Sequence, residues 1–151
     1  VVSVPTLDAL AYNVPMTCSL VCPIMDARNN QVYTCLYGRE GDVQVRLMDY
    51  AGIPVAELME IIKERDSSVV FVGDGVEKYG EFIKEQLKDK CEFAPGSLLL
   101  HRASSVAGLG LMKAKKGELE NPFDMVPFYL RKPQAERELE KKRKGLHCAG
   151  D

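Results

Sequence analysis

Four consecutive apolar residues, Val69 to Val72, lead into a Gly-Asp-Gly turn in the stretch SVVFVGDG. A strand that is apolar at every position has both faces buried, which in a mixed fold is typical of a central parallel strand. Three predicted strands precede it, and helical patterns lie on either side of it in the chain. This arrangement favours an α/β fold in which helices flank a mixed sheet of about five strands.

The order of the predicted elements narrows the choice of fold. The third predicted strand alternates apolar and polar residues and is expected at an edge of the sheet. Asparagines after Arg28 and the glycines of GREGD supply the turns between the first three strands, because these residues tolerate left-handed backbone angles. The predicted strands occupy residues 23–27, 31–37, 43–48, 69–72 and 92–94.

Helices are predicted wherever apolar residues recur at helical spacing. They begin at Leu7 after a Thr6 cap, at Pro54, after Gly75, and at Ala103, where serines cap the helix start. Three antiparallel strands followed by helix, strand, helix, strand and helix is the order of the ribonuclease H-like fold. That fold is also the repeating lobe of the actin-like ATPases, so topology alone leaves function open.

Length and composition limit the classes of function. With 151 residues, 46% of them hydrophobic, the chain can bury one core, so we expect a single domain over residues 1–130 and a charged tail over 131–151. The net charge of −2 gives no general attraction to nucleic acid, which would need a local basic patch or a partner. No apolar run approaches the ~20 residues of a membrane helix, so no membrane contact is expected.

Cysteine and histidine are spaced too widely to predict a metal centre. The five cysteines are an odd number without repeated pairs, which suits reduced thiols in a cytoplasmic protein. Cys18 and Cys22 form an isolated pair, and His101 and His147 lie far from it. Ser104 and Ser105 lie near His101, but a helix start explains them better than a hydrolase site does. We therefore predict no catalytic constellation and no metal site.

Four separated segments resemble one family in order and spacing. They are VPTLDALAYN, PIMDARNNQVYTCLY, FVGDGVEKY and VPFYLRKPQAE, and together they span nearly the whole chain. The sequence resembles the TsaB (YeaZ) family, which is needed to make threonylcarbamoyladenosine in tRNA. Members of that family begin with another actin-like lobe that carries a GPGSFTGLR-like loop, which this sequence lacks. We therefore expect the second lobe and the C-terminal tail of a TsaB-like protein, a reading that also accounts for Val as first residue.

The resemblance implies a function without catalysis. TsaB-like proteins are partners of TsaD, which transfers threonylcarbamoyl to the adenosine beside the anticodon, and TsaE, a small ATPase, joins them. The implied partners are TsaD-like and TsaE-like proteins, with tRNA bound through the complex, and a homodimer is left open. No cofactor is expected in this chain, since ATP is handled by the partner subunits. The alternatives are a lobe of an actin-like kinase or ATPase, and a glycoprotease-like hydrolase, as older family labels suggest.

Two turns carry the candidate site residues. In actin-like ATPases a glycine-rich turn faces the nucleotide, so Gly73, Asp74 and Gly75 are weak candidates for phosphate or Mg²⁺, but an Asp74 helix cap is favoured. Asp26 lies at the end of a strand facing the cleft, where an acid can hold metal or activate water. We favour a structural role in which Asp26 accepts hydrogen bonds from its turn and Arg28 faces a partner or the other lobe.

Basic residues near the C-terminus are the last candidates. Arg131 is a further cleft- or partner-facing residue. From residue 131 to residue 144 the sequence has seven basic and three acidic residues, which alone predicts a solvated helix. The alternative, within a tRNA-modifying assembly, is that Lys141, Lys142, Arg143 and Lys144 would contact RNA or a partner.

Overall fold

The fold is described by a computed structural model, which covers residues 1–15, 19–41, 43–128 and 130. Within these ranges the strands are β1 (Leu20–Asp26), β2 (Gln31–Glu40), β3 (Val43–Pro54), β4 (Val69–Val72) and β5 (Cys91–Phe93). The helices are α1 (Thr6–Tyr12), α2 (Val55–Lys63), α3 (Gly75–Leu87), α4 (Gly96–Leu99) and α5 (Ala103–Lys115), with a 3-10 turn at Lys88–Lys90. The predictions for Arg131, for the residues from Lys141 to Lys144 and for the tail lie outside the described residues.

The strands form one mixed sheet in the order β3-β2-β1-β4-β5. The first three strands are antiparallel neighbours, whereas β4 is parallel to both β1 and β5. The predicted mixed sheet of five strands is therefore confirmed, with β3 at one edge. β4 is an internal strand, as its uniform apolar sequence predicts, and β1 occupies the middle of the sheet.

Each face of the sheet packs against its own apolar layer. Side chains of β4 alternate between the layers, so Phe71 faces α2 and α3 while Val72 faces α1. This alternation explains why all four residues of β4 are apolar and buried. The largest fully buried side chains include Phe71, Leu10, Ile24, Leu36, Leu58 and Ile83.

The edge strand β3 differs most from its prediction. It continues to Pro54 because it pairs with the whole length of β2, from Gln31 opposite Pro54 to Glu40 opposite Val43. Pro54 therefore ends a strand and precedes α2, and the prediction that it is the first helical residue is wrong. The pairing contains two register shifts, and β3 also carries charged side chains, which are features that protect an edge from pairing with other strands.

The predicted helix caps are wrong at three places. Thr6 is already helical, and Pro5 with φ −58° occupies the position before α1. The side chain of Asp74 does not cap α3. Ser105 is buried near the start of α5, where its hydroxyl donates to Asn13 Oδ1 at 2.6 Å. In this last case a tertiary hydrogen bond has replaced the local cap that the sequence pattern predicts.

The described cysteines are free thiols placed mostly in the core. Burial raises the pKa of Cys22 and the pKa of Cys35 to about 12 each, which makes both thiols unreactive. No group of three or more metal-ligating side chains occurs among the described residues. In the same part of the chain no helix has the length and apolar character needed to span a membrane.

Candidate functional site

The candidate site lies at the end of the sheet where the parallel strands β1 and β4 terminate. Asp26 is the last residue of β1, and the turn from Gly73 to Gly75 follows β4 and starts α3. Because parallel strands end at the same edge, residues far apart in sequence meet there. The backbone N–H of Asp26 donates to Asp74 Oδ1 at 3.3 Å and joins the two strand ends.

The carboxylate of Asp26 is surrounded by donors. Its Oδ1 accepts the backbone N–H of Arg28 at 3.0 Å and the hydroxyl of Tyr79 at 2.9 Å. The ammonium of Lys78 lies 3.0 Å from both carboxylate oxygens. The predicted hydrogen bond from the turn to Asp26 is therefore confirmed, and two donors from α3 were not foreseen. Lys78 and Tyr79 follow the helix start and point back toward the end of β1.

The donors set the ionisation of Asp26. Burial raises the pKa of this carboxyl, but the hydrogen bonds from Lys78, Tyr79 and the Arg28 N–H together outweigh it, so the pKa lies below its usual value. The hydrogen bond to Asp26 is the largest cause that raises the pKa of Lys78. A carboxylate stabilised in this way is a weak base, because its lone pairs are already engaged.

The turn between β1 and β2 is held in an uncommon conformation. Arg28, Asn29 and Asn30 have φ values of 60°, 52° and 55°, which are left-handed angles seldom adopted by residues other than glycine. Backbone bonds from Ala27 N to Gln31 O at 2.9 Å and from Gln31 N to Arg28 O at 3.0 Å close the turn. The exposed Arg28 side chain is thus carried on a fixed backbone, and its partner-facing role stays a prediction.

The glycines of the second turn are required by close packing against β1. Gly73 has φ +111°, and a Cβ at this position would lie 2.2 Å from the carbonyl oxygen of Ile24. A Cβ at Gly75 would lie 3.0 Å from the same oxygen. This approach explains the Gly-Asp-Gly sequence without a bound phosphate. Nucleotide binding by Gly73, Asp74 and Gly75 stays a prediction.

A second polar cluster was not predicted from the sequence. Asp8 on α1 accepts hydrogen bonds from the hydroxyls of Tyr37 on β2 and Tyr50 on β3. The guanidinium of Arg46 lies 4.3 Å from the centre of the Tyr50 ring. Burial is the largest cause that raises the pKa of both tyrosines, and Asp8 adds to it. The sequence feature that could have indicated this cluster is Asp8, an acidic residue in a helix that is mostly apolar.

The sheet order β3-β2-β1-β4-β5 and the helices that flank the sheet define an α/β lobe of the ribonuclease H-like, actin-like class. The model of the family described as "TsaD: tRNA N6-adenosine threonylcarbamoyltransferase" matches residues 1–139. The chain belongs to this family and is a TsaB/YeaZ-like member of it. The resemblance on which the family was predicted is thereby confirmed.

Individual relatives agree with this assignment. The chain is 31% identical over 134 residues to the tRNA threonylcarbamoyladenosine biosynthesis protein TsaB of Bacillus subtilis (strain 168), covering 89% of this chain and 57% of that protein. The chain therefore spans little more than half the length of this curated relative.

Solved structures support the fold. A crystal structure of "an uncharacterized protein with similarity to peptidase YEAZ from Pseudomonas aeruginosa" has a TM-score of 0.66 and 22% identity, covering 85% of this chain and 57% of that one. YeaZ from Pseudomonas aeruginosa has a TM-score of 0.60 and 19% identity, covering 83% of this chain and 58% of its own. At these identities the structures show a shared fold.

Gly73→Ala tests whether the turn after β4 depends on its contact with β1. We expect the substitution to lower the free energy of unfolding by at least about 2 kcal/mol, because the added Cβ overlaps the Ile24 carbonyl at an unfavourable φ. Gly96→Ala is the control, since a Cβ there meets nothing within 4 Å and should change stability by less than about 0.5 kcal/mol. Chemical denaturation measures both, and equal effects would contradict the packing argument.

Asp26→Asn tests the electrostatic role of the carboxylate. Because the folded-state pKa is lowered, the ionised form contributes stability above the unfolded pKa of about 4, and this contribution is lost as the pH falls through the folded pKa. The wild type should therefore exceed the Asn variant in unfolding free energy at pH 7, and the difference should shrink below pH 4. Glu85→Gln, at an exposed residue of α3, the helix that carries Lys78 and Tyr79, is the control in denaturation at each pH. A difference that grows on acidification would refute this role.

Proposed function

We propose that this chain serves as a non-catalytic, TsaB-like component of the machinery that makes threonylcarbamoyladenosine in tRNA. The observation that carries the proposal is the match to Bacillus subtilis TsaB over 89% of the chain. The family match over residues 1–139 agrees with it, since that family is described by a tRNA threonylcarbamoyl transfer. The chain spans 57% of the TsaB relative, so the proposal concerns the part that this region plays in the whole protein.

The geometry at the ends of β1 and β4 supports a role without catalysis. Asp26, the acid best placed for chemistry, is engaged by Lys78, Tyr79 and the Arg28 N–H. Its lowered pKa makes it a poor proton acceptor near neutral pH. A side chain at Gly73 would meet the Ile24 carbonyl, and the Gly73 backbone N–H, a donor that a phosphate could use, already donates to Leu99 O at 2.9 Å. Asp26 and Gly73 thus each have structural partners that explain them.

The proposed partners are a TsaD-like protein and a TsaE-like protein, with tRNA bound through their complex. The match to a family that is described by the TsaD activity favours a TsaD-like partner. ATP would be handled by those partners and not by this chain, and the assembly would work in the cytoplasm. Arg28 offers a partner a cation on a fixed turn, and it is exposed.

The two alternatives have less support. A lobe of an actin-like kinase or ATPase would use the turn from Gly73 to Gly75 for phosphate, but that turn is packed against β1. A glycoprotease-like hydrolase would agree with the word peptidase in the name of one structural relative. Among the described residues, however, no group of three metal-ligating side chains is available for a metalloprotease.

A chimera tests the proposed function. Residues 1–139 of this chain replace the matching part of Bacillus subtilis TsaB, and the chimera is expressed in cells depleted of the native protein. We expect threonylcarbamoyladenosine in digested tRNA, measured by mass spectrometry, to recover to at least about half of its normal level, because a shared fold preserves the subunit contacts. The matched control is the same chimera with Gly73→Ala, which should recover less at high growth temperature because its lobe is destabilised.

The result is interpreted together with the amount of folded protein. A chimera that is soluble and abundant but leaves the modified nucleoside at the depleted level would contradict the proposal. Recovery of the nucleoside with the chimera, and none with an empty vector, would support it.

A further inference from the structure

The turn between β1 and β2 contains three exposed residues, Arg28, Asn29 and Asn30, which we call the left-handed tip. All three have positive φ values although none is glycine, and residues with a side chain adopt such angles only at a cost in free energy. Asparagine tolerates this region better than most residues, whereas arginine has no such preference. The tip therefore keeps a costly conformation that the rest of the fold has to hold in place.

The backbone of the left-handed tip is bonded to three neighbouring elements. Arg28 O accepts the N–H of Gln31 at 3.0 Å, and Asn30 O accepts the N–H of Val55, the first residue of α2, also at 3.0 Å. The N–H of Arg28 donates to Asp26 Oδ1 at 3.0 Å. These bonds connect the tip to β1, β2 and α2 and fix its backbone.

Several hydrogen-bond donors of the tip are left over. Within the described residues, no hydrogen bond or ion pair engages the guanidinium of Arg28, and the backbone N–H groups and side-chain amides of Asn29 and Asn30 are also unbonded. The guanidinium alone has five N–H donors in a planar fork. Such a surface fits a ligand that supplies acceptors only, which is the property of an ionised carboxylate or a phosphate.

The charges around the tip favour a protein carboxylate over the phosphates of RNA. Lys78 is already paired with Asp26 at 3.0 Å, and Asp74 accepts the backbone N–H of Asp26 at 3.3 Å. Arg28 is thus an unpaired cation next to two acids. Nucleic acid is bound by several cations that neutralise several phosphates. A single guanidinium suits a single carboxylate, which it binds through two parallel N–H···O bonds.

We propose that the left-handed tip binds an acidic side chain of the TsaD-like partner. The guanidinium of Arg28 pairs with the carboxylate, and the donors of Asn29 and Asn30 are available beside it. Because the backbone of the tip is already fixed, little conformational entropy is lost on binding. The inference rests on the proposed function for the identity of the partner, and it adds the chemistry of the contact, an exposed Asp or Glu that faces the tip.

Calorimetric titration tests the contact in the chimera of residues 1–139 with Bacillus subtilis TsaB, and the TsaD-like protein of the same organism is the probe. Arg28→Glu should weaken binding about 30-fold or more, because two carboxylates then face each other. Arg28→Lys should weaken it about fivefold, because the charge remains but the planar fork is lost.

Arg65→Glu is the matched control for this titration. It makes the same charge change at an exposed arginine that follows α2, at the end of the helix away from Val55 and the tip. It should change the dissociation constant less than about twofold, because an exposed charge without a close partner contributes little.

Charge exchange identifies the acid on the partner. A set of variants of the TsaD-like protein is prepared, each with one Asp or Glu changed to Lys, and each is titrated with the Arg28→Glu chimera. One variant should recover binding to within about fivefold of the native pair, because opposite charges then meet again.

Four results would overturn the proposal. They are equal effects of Arg28→Glu and Arg65→Glu, the absence of a rescuing variant, a loss of affinity that appears only when tRNA is present, and a lower melting temperature of the free Arg28→Glu chimera with unchanged affinity. The third would assign the tip to phosphate, and the fourth would place the carboxylate in the same chain.

Failure of this proposal is distinguishable from failure of the proposed function. If the unsubstituted chimera restores threonylcarbamoyladenosine while any of these four results is obtained, the proposed function stands and the contact is refuted. An unsubstituted chimera that does not bind the TsaD-like protein would contradict both.

Discussion

The carboxylate of Asp26 joins the turn between β1 and β2 to helix α3. It accepts hydrogen bonds from the turn between β1 and β2 and from Lys78 and Tyr79 on α3. Because the donors favour the ionised form, the contact strengthens as the carboxyl loses its proton. The bond from the Arg28 N–H to Asp26 adds to the backbone hydrogen bonds that close the left-handed turn.

In α/β folds, ligands commonly bind at the carboxyl ends of the parallel strands. In this structure, the chain's own residues contact one another at that position. In open α/β sheets, ligands bind outside the carboxyl ends of the parallel strands, often at a glycine-rich turn. Here Gly73 and Gly75 approach the Ile24 carbonyl, and Asp74 accepts the backbone N–H of Asp26. The same glycine pattern therefore serves packing between β1 and α3.

Local sequence patterns, such as apolar runs and turn residues, predicted the fold well. They did not predict the contacts between residues that are far apart in the sequence. The uniform apolar sequence of β4 and the turns of the hairpins predict an internal strand and an edge strand, and both are present. The cap predictions are wrong where tertiary partners take the side chain, as with Ser105 and Asn13. Lys78 lies 52 residues from Asp26, and no short pattern indicates their contact. The Asp8 cluster escaped prediction for the same reason, because it joins three elements.

We infer that Asp26 supports the structure and takes no part in chemistry. The most direct measurement introduces Asp26→Asn into the Bacillus subtilis chimera and records both its melting temperature and threonylcarbamoyladenosine in tRNA at a permissive temperature. We expect a lower melting temperature and a modified-nucleoside level within about twofold of the unsubstituted chimera, because Asn keeps the shape but loses the charge. An unchanged melting temperature with the nucleoside reduced about 100-fold or more would contradict this role, since that pattern belongs to a catalytic carboxylate.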